Sequence, residues 1–179
     1  MNLFSNNKIL GIIGGGQLGK MLLNDTFKWN ITTYVLDPDK DAPAKQFCNK
    51  FYCGDLNDFD TIYQFGKKAD IITFEIEHIN TEALKKLEKE GAIIYPKPNT
   101  LSIIQDKFKQ KKFYLDNNIP TSDFIFFDSI KDLTHAFETK KIKLPFVWKS
   151  TKFGYDGFGV KIINNKTDLE SIEDKPCII

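Results

Sequence analysis

The sequence feature with the clearest chemical meaning is a glycine loop near the start of the chain. The run GGGQLG places Gly14, Gly16 and Gly19 in the G-x-G-x-x-G pattern, and Asp37 follows 18 residues after Gly19. Glycines at this spacing let a backbone turn tightly and bring phosphate oxygens to the N–H groups that open a helix. The pattern predicts a bound nucleotide or, alternatively, only close packing of a helix on a strand.

A second glycine loop, FGYDGFG, spans residues 153–159, and Lys149 precedes it by four residues. A lysine at a strand end beside such a loop is a common way to hold polyphosphate, because ammonium and backbone N–H groups both meet anionic oxygens. Lys107, on a predicted helix, is a second candidate cation. We favour phosphate binding over the alternative of a surface lysine beside a loose hairpin.

Acidic residues follow a third apolar run in the segment TFEIEHIN. Glu75 and Glu77 are two residues apart, which on a strand directs both carboxylates to one side. The carboxyl ends of parallel strands form the ligand crevice of such sheets. The pair predicts contacts with an amine or with sugar hydroxyls, or else two solvated acids beside a helix.

The elements that must position these residues alternate between strands and helices. Strands are predicted over 8–13, 32–37, 50–53, 70–76 and 92–96, with helices over 17–29, 59–69 and 81–91. This alternation is typical of a parallel sheet covered by helices. The first domain is therefore predicted to be α/β and Rossmann-like over residues 1–98.

The pattern changes after Pro98, and a second domain is predicted over residues 99–179. We expect a lysine-rich helix over 99–118, strands over 122–127, 144–149 and 160–164, and the start of another strand at the end of the chain. Ser129 with Asp132, and Thr167 with Glu170, are spaced as helix capping boxes.

Composition excludes several classes of protein. The 179 residues are 41% hydrophobic with a net charge of +1, which argues against a dedicated nucleic-acid binder. No apolar run is long enough to cross a bilayer and no signal peptide is visible, so a cytoplasmic location is expected. The three cysteines lack the spacing of a zinc site, and only His78 and His135 could supply imidazoles.

Several ordered motifs together resemble one family. These are IIGGGQLGKML, VLDPDKDAPA, TFEIEHI, PKPNTLSIIQDKFKQKKFYLDNNIPT and VWKSTKFGYDGFGV. They are similar to the ATP-grasp enzymes, and within them to the 5-(carboxyamino)imidazole ribonucleotide synthases of purine biosynthesis. The resemblance implies a Rossmann-like pre-ATP-grasp domain that does not bind NAD, followed by the first, incomplete part of an ATP-grasp α+β fold.

The resemblance also implies two sets of site residues. Those expected to contact ATP are Lys107, Lys149, Gly154, Tyr155, Asp156, Gly157, Phe158, Gly159 and Val160. Those expected to contact the aminoimidazole ribonucleotide are Gly14, Gly15, Gly16, Gln17, Leu18, Glu75, Tyr155 and Asp156. No catalytic residue is assigned within the chain.

The implied reaction is carboxylation of aminoimidazole ribonucleotide with bicarbonate, driven by ATP and giving ADP and phosphate. Magnesium ions would assist, with their ligands expected after Ile179, and a homodimer is expected. The family is considerably longer, so a protein ending at Ile179 is predicted to be inactive. Departures from the family occur at Lys107, where arginine is usual, and at Phe153, Phe158 and Val160.

Three other functions remain open on the sequence. A formate-dependent glycinamide ribonucleotide transformylase shares the architecture. An NAD-binding module would explain the first glycine loop and Asp37 but would leave the second region without a purpose. A truncated fragment that binds a substrate or a partner without catalysis is the third.

Overall fold

A computed structural model describes residues 7–152, 154 and 158–179. The chain divides into two compact units, Met1–Ser102 and Ile103–Ile179. Each unit has a sheet and a hydrophobic core of its own. Within the described residues, no helix is both long enough and apolar enough to span a membrane.

The first unit is built on a five-stranded sheet in the order β3-β2-β1-β4-β5, and every neighbouring pair is parallel. The α/β prediction is therefore confirmed. The last two strands are shorter than predicted. The strands are β1 Ile9–Ile13, β2 Thr32–Asp37, β3 Lys50–Cys53, β4 Ile71–Phe74 and β5 Ile93–Ile94.

Three helices of the first unit cover this sheet, namely α1 Gln17–Lys28, α2 Phe59–Gly66 and α3 Thr81–Lys89. Asp58 caps α2 by accepting the Thr61 N–H, and Asn80 caps α3 by accepting the Ala83 N–H. Apolar side chains of the central strands and of α2 and α3 form the core, including Ile13, Leu36, Ile62, Ile72 and Leu84.

The single helix predicted over 99–118 is wrong, because the chain forms α4 Pro98–Ile104 and α5 Lys107–Asp116 instead. Asp106 separates them with extended backbone and caps α5. Its side chain accepts the N–H groups of Phe108 and Lys109 at 3.1 and 3.2 Å. An aspartate at this position satisfies two N–H groups that a new helix leaves free.

The second unit contains a four-stranded antiparallel sheet in the order β6-β9-β7-β8. Its strands are β6 Phe126–Phe127, β7 Phe146–Ser150, β8 Val160–Ile163 and β9 Cys177–Ile178. The strand predicted at the end of the chain is thus confirmed. The one predicted over 122–127 forms only at its last two residues.

Two helices, α6 Ile130–Glu138 and α7 Lys166–Glu170, complete the second unit. The capping box at Ser129 is confirmed, since its side chain accepts the Asp132 N–H. The one predicted at Thr167 is wrong, because Asn165 caps α7 and accepts the Asp168 N–H. The core joins α6, α7 and one face of the sheet through residues such as Leu133, Trp148, Ile163, Leu169 and Cys177.

Candidate functional site

The first glycine loop joins β1 to α1. Gly14 has a φ of +98°, which side chains rarely tolerate, and its N–H donates to the Leu36 carbonyl at 2.9 Å. A Cβ at Gly19 would lie 2.7 Å from the Gly14 carbonyl oxygen. Turn geometry and the close approach of α1 to the loop therefore account for glycine at these two positions.

Two carboxylates of the protein accept hydrogen bonds from backbone N–H groups of this loop. Asp37 Oδ2 accepts the Gly15 N–H at 2.6 Å, and Glu75 Oε1 accepts the Gly16 N–H at 3.0 Å. Negative charge is favourable where a helix begins, so both carboxylates are stabilised there. The same N–H groups would bind a dinucleotide's pyrophosphate. Such a ligand would have to displace both acids.

Glu75 and Glu77 have different surroundings, because β4 ends at Phe74 and the alternation of a strand does not reach them. Glu75 is half-buried against the glycine loop, and among the described residues its Oε2 accepts no hydrogen bond. The Glu77 carboxylate is about half exposed and lies 3.9 Å from His78 Nε2. Gln17 and Leu18, also predicted to contact substrate, are exposed at the start of α1.

Lys107 opens α5 and joins that helix to the second glycine loop. Its backbone N–H donates to the Thr151 carbonyl at 2.7 Å, and its Nζ donates to the Gly154 carbonyl at 2.8 Å. An ammonium has three N–H groups, and the described residues accept a hydrogen bond from one of them, which leaves two for another acceptor. Lys107 therefore contacts the loop predicted to cover phosphates and keeps the capacity to bind an anion.

The base of this loop is tightly packed around Ser150. Gly159 has a φ of +68°, and a Cβ there would approach Ser150 Oγ more closely than side chains allow. A Cβ at Gly154 would lie 2.9 Å from the Phe158 carbonyl oxygen and 3.0 Å from Lys107 Nζ. Close packing therefore requires glycine at both positions.

Some of the remaining residues predicted to contact ATP lie at the surface. Phe158 and Val160 are both exposed, and Val160 begins β8 opposite Lys149. Tyr155, Asp156 and Gly157 lie outside the described residues, as does Phe153.

Lys149 lies in β7 and is half-buried, and among the described residues its ammonium has no hydrogen bond or ion pair. It lines a cavity of about 290 Å³ in the second unit. The other lining residues are Lys111, Ser122, Asp123, Phe124, Val147, Ile178 and Ile179. Apolar walls with a few polar groups and an unpaired cation are typical of a site for an anionic ligand with an apolar part.

A larger cavity of about 410 Å³ lies beside Phe108 and Phe126, whose ring centroids are 4.1 Å apart. The lysines that line it, Lys152 and Lys175, are exposed, and Lys175 is paired with Glu173. Surface cations of this kind bind anions weakly because water screens them. The half-buried, unpaired Lys149 makes the smaller cavity the stronger candidate.

The described residues include no group of three or more histidine, cysteine, aspartate or glutamate side chains that could hold a metal ion. The three cysteines differ in exposure: Cys48 is half-buried, Cys53 exposed and Cys177 buried. Burial raises the pKa of the Cys177 thiol to about 11. Cys177 therefore behaves as a core residue of the second unit.

Comparison with known proteins matches each part of the chain to one class of enzyme. Residues 7–105 match the ribonucleotide synthetase preATP-grasp domain, and residues 112–176 match the ATP-grasp domain. The N5-carboxyaminoimidazole ribonucleotide synthase of Staphylococcus epidermidis is 33% identical over 94% of the chain. The chain belongs to the N5-carboxyaminoimidazole ribonucleotide synthase family.

Solved structures of this family agree with that assignment. The N5-carboxyaminoimidazole ribonucleotide synthetase of Thermotoga maritima is 38% identical over 96% of the chain, with a TM-score of 0.83. The synthase of Aspergillus clavatus, solved with ADP and 5-aminoimidazole ribonucleotide, is 30% identical over 96% of the chain, with a TM-score of 0.82. The fold prediction, a pre-ATP-grasp domain followed by part of an ATP-grasp fold, is confirmed.

The chain spans less than half the length of these relatives, namely 45% of the S. epidermidis enzyme and 45% of each of the two solved chains. Within each unit of this family member, a charged residue predicted to bind a ligand contacts a glycine loop. Glu75 meets the first glycine loop, and Lys107 meets the second.

Sequence reasoning missed three residues that support these loops. Asp37 was considered only as part of the dinucleotide-binding pattern, yet its side chain accepts a hydrogen bond from the loop's own backbone. Ser150 fills the space between two glycines. Lys111 lines the Lys149 cavity, and its position one helical turn after Lys107 was the available signal.

Proposed function

We propose that this chain forms the N-terminal part of an enzyme that carboxylates 5-aminoimidazole ribonucleotide with bicarbonate and ATP, giving 5-(carboxyamino)imidazole ribonucleotide, ADP and phosphate in purine biosynthesis. Family membership supports the reaction class. The single observation that carries the nucleotide part is the unpaired Lys149 ammonium in its cavity. An anion at this position would neutralise a half-buried charge that the described residues leave without a partner.

Residues of the second unit would bind ATP. Lys149 and Lys107 would contact phosphate oxygens, and backbone N–H groups of the glycine loop from Gly154 to Val160 would cover them. The ammonium of Lys107 supports this role, since within the part of the chain that the structure describes it donates only to the Gly154 carbonyl. Asp156 and Tyr155 of the same loop would face the ribonucleotide.

Residues of the first unit would bind the ribonucleotide acceptor. Glu75 is held by Gly16 through Oε1, which leaves Oε2 to accept a hydrogen bond from the substrate's exocyclic amine. Gly14 to Gly16, with Gln17 and Leu18, would form the surrounding wall. A carboxylate is suited to an amine because it accepts both of the hydrogens that an amine can donate.

Catalysis in such an enzyme depends on positioning and on neutralising charge as phosphate is transferred to bicarbonate. Lys149 and Lys107 would supply fixed positive charge from this chain. Magnesium would supply further positive charge at the phosphates, from carboxylate and amide ligands that we expect after Ile179. A homodimer and a cytoplasmic location belong to the same proposal.

The alternatives differ in how well the site supports them. An NAD-binding module is disfavoured because Asp37 and Glu75 occupy the N–H groups that a pyrophosphate needs. A formate-dependent glycinamide ribonucleotide transformylase would use the same ATP residues and a different acceptor. A non-catalytic fragment would bind nucleotide without turnover.

The nucleotide site is tested by titrating the 179-residue chain with a fluorescent ATP analogue. We expect Lys149→Met to weaken binding about tenfold or more, because a charge-assisted hydrogen bond contributes roughly 1.5–3 kcal/mol. Lys143→Met, which removes an exposed lysine before β7, is the matched control and should leave the affinity unchanged. Equal affinities for both variants would remove Lys149 from the site.

The acceptor is tested in the protein extended to the length of its relatives. ADP release with aminoimidazole ribonucleotide and bicarbonate is compared with release on glycinamide ribonucleotide and formate. Turnover with the second pair alone would replace the proposed reaction by the transformylase. A titration followed by NADH fluorescence tests the NAD module, and clear micromolar binding would favour it.

A further inference from the structure

We propose that Lys111 is a positioning residue that fixes one wall of the Lys149 cavity. The proposal rests on the proposed function, in that the cavity is taken to bind the nucleotide. Lys111 lies on α5, one helical turn beyond Lys107, and its side chain reaches the segment that leads into β6.

The Lys111 ammonium uses all of its hydrogens within the protein. Its Nζ donates to Thr121 Oγ1 at 2.6 Å, to Ser122 Oγ at 2.6 Å and to the Ser122 carbonyl at 3.1 Å. A lysine has three N–H groups and accepts nothing. With three acceptors present, Lys111 has no donor left for a phosphate oxygen, whereas the ammonium of Lys149 donates to no group among the described residues.

The segment that Lys111 holds has few other constraints. Before the segment, the Ile119 N–H donates to the Tyr114 carbonyl. After it, Ile125 exchanges two backbone hydrogen bonds with Ile179. Between them, within the part of the chain that the structure describes, residues 120–124 make no backbone-to-backbone hydrogen bond. Besides the three hydrogen bonds of Lys111, the described contacts of this segment are those of the Phe124 ring. That ring packs against Phe108 and lies below the Lys111 ammonium.

This anchored segment is also part of the cavity. Ser122, Asp123 and Phe124 line it together with Lys111, opposite β7 and the end of the chain. Loss of the Lys111 anchor would therefore release one wall and leave Lys149 in place. If the wall were ordered only about a tenth of the time, the apparent dissociation constant of a ligand would rise about tenfold.

A positioning role and a phosphate contact predict different responses to ligands. Removal of a residue that contacts phosphate weakens the binding of ATP and ADP but not of adenosine. Removal of a residue that orders the cavity wall weakens the binding of all three ligands by the same factor. Lys111→Met is therefore expected to weaken ATP, ADP and adenosine about tenfold each, and Lys111→Arg, which keeps several donors, is expected to recover most of the affinity.

Two further variants complete the test. Thr121→Ala combined with Ser122→Ala removes two of the three acceptors and should reproduce most of the Lys111→Met effect, with no loss beyond that of Lys111→Met when all three changes are combined. Lys112→Met is the matched control, since Lys112 is the next residue and, among the residues that the structure describes, pairs only with Asp116 of the same helix. It should change no affinity by more than about twofold.

Backbone ¹⁵N relaxation of Ser122 and Asp123 in the ligand-free chain gives an independent measurement. We expect lower order parameters in Lys111→Met and wild-type values in Lys112→Met. Unchanged order parameters, or a loss for ATP without a loss for adenosine, would overturn the positioning role even if the wild-type chain binds nucleotide normally. If the wild-type chain bound neither nucleotide nor adenosine, the proposed function and the role of Lys111 in it would both be rejected, whatever the relaxation data.

Discussion

Substitution of Gly159 by alanine separates two physical causes at the base of the second glycine loop. The first is backbone conformation, because the φ of +68° belongs to the left-handed region. The second is crowding, because the new Cβ would overlap Ser150 Oγ and lie 3.2 Å from Gly154 Cα. The first cost belongs to the residue itself, whereas the second depends on Ser150.

The magnitudes follow from these two costs. A left-handed conformation costs an alanine roughly 1–2 kcal/mol, and overpacking a close site costs about 1–3 kcal/mol. Gly159→Ala should therefore lower the free energy of unfolding by about 2–5 kcal/mol. Ser150→Ala alone removes the hydrogen bond from its hydroxyl to the Lys152 carbonyl, with a loss of about 1 kcal/mol.

The double variant decides between the causes. Without Ser150 Oγ, the nearest atom of residue 150 would be its Cβ at 3.5 Å, an ordinary contact. We therefore expect the double variant to be about 1–3 kcal/mol more stable than the sum of the single effects. Costs that add to within about 0.5 kcal/mol would refute the crowding argument.

Urea denaturation measured by tryptophan fluorescence is a suitable assay. The chain has two tryptophans, Trp29 in the first unit and Trp148 in the second. A Trp29→Phe background leaves Trp148 as the reporter for the unit that contains Gly159. Gly91→Ala is the control for backbone strain alone, and a Trp148→Phe background leaves Trp29 as the reporter for the unit that contains Gly91. Gly91 has a φ of +98°, and a Cβ added there would meet no atom within 4 Å, so a loss of only about 1–2 kcal/mol is expected.

Three further predictions concern single residues. Cys53 should react with a thiol reagent at pH 8 in the folded chain, whereas Cys177 should react only on unfolding, because burial raises its pKa to about 11 and leaves roughly one thiol in a thousand ionised at that pH. The Lys8 ammonium and the Ile9 N–H hold the pKa of Asp70 below its usual range. The stability that Asp70 contributes should therefore be constant above about pH 5 and disappear as the pH falls through its folded pKa, which a comparison of wild type with Asp70→Asn in acid titrations measures. Asn80→Ala removes the cap of α3 and should lower the unfolding free energy by about 1 kcal/mol in urea titrations, whereas no change would show that the cap is dispensable.

The parallel sheet of the first unit was predictable from the sequence because its signals are local. Apolar runs of strand length alternate with runs of helical period, and such an alternation permits few arrangements. The Ser129 cap was predictable for the same reason, since its partner Asp132 is three residues away. The ordered motifs around both glycine loops likewise sufficed to indicate the family.

The errors also have a local explanation. Asn165 and Thr167 both precede apolar positions and both have an acid three residues later, and the capping-box rule selected Thr167 because it asks for serine or threonine at the cap. The structure uses Asn165, whose amide oxygen reaches the Asp168 N–H. Similarly, the run over 99–118 has helical composition throughout, and only the two N–H groups accepted by Asp106 show where one helix ends and the next begins.

The sequence by itself therefore determined the type of most elements, their order and the residues that belong to each loop. The tertiary structure alone decided which polar groups far apart in the sequence satisfy one another. Gly15 and Gly16 donate to acids 22 and 59 residues away. Lys111 donates all of its hydrogens to Thr121 and Ser122, whereas Lys149 donates to no described residue. Local period follows from backbone geometry within a few residues, whereas the pairings of Gly15 and Gly16 with distant acids exist because strand order brings those segments to the same end of a sheet.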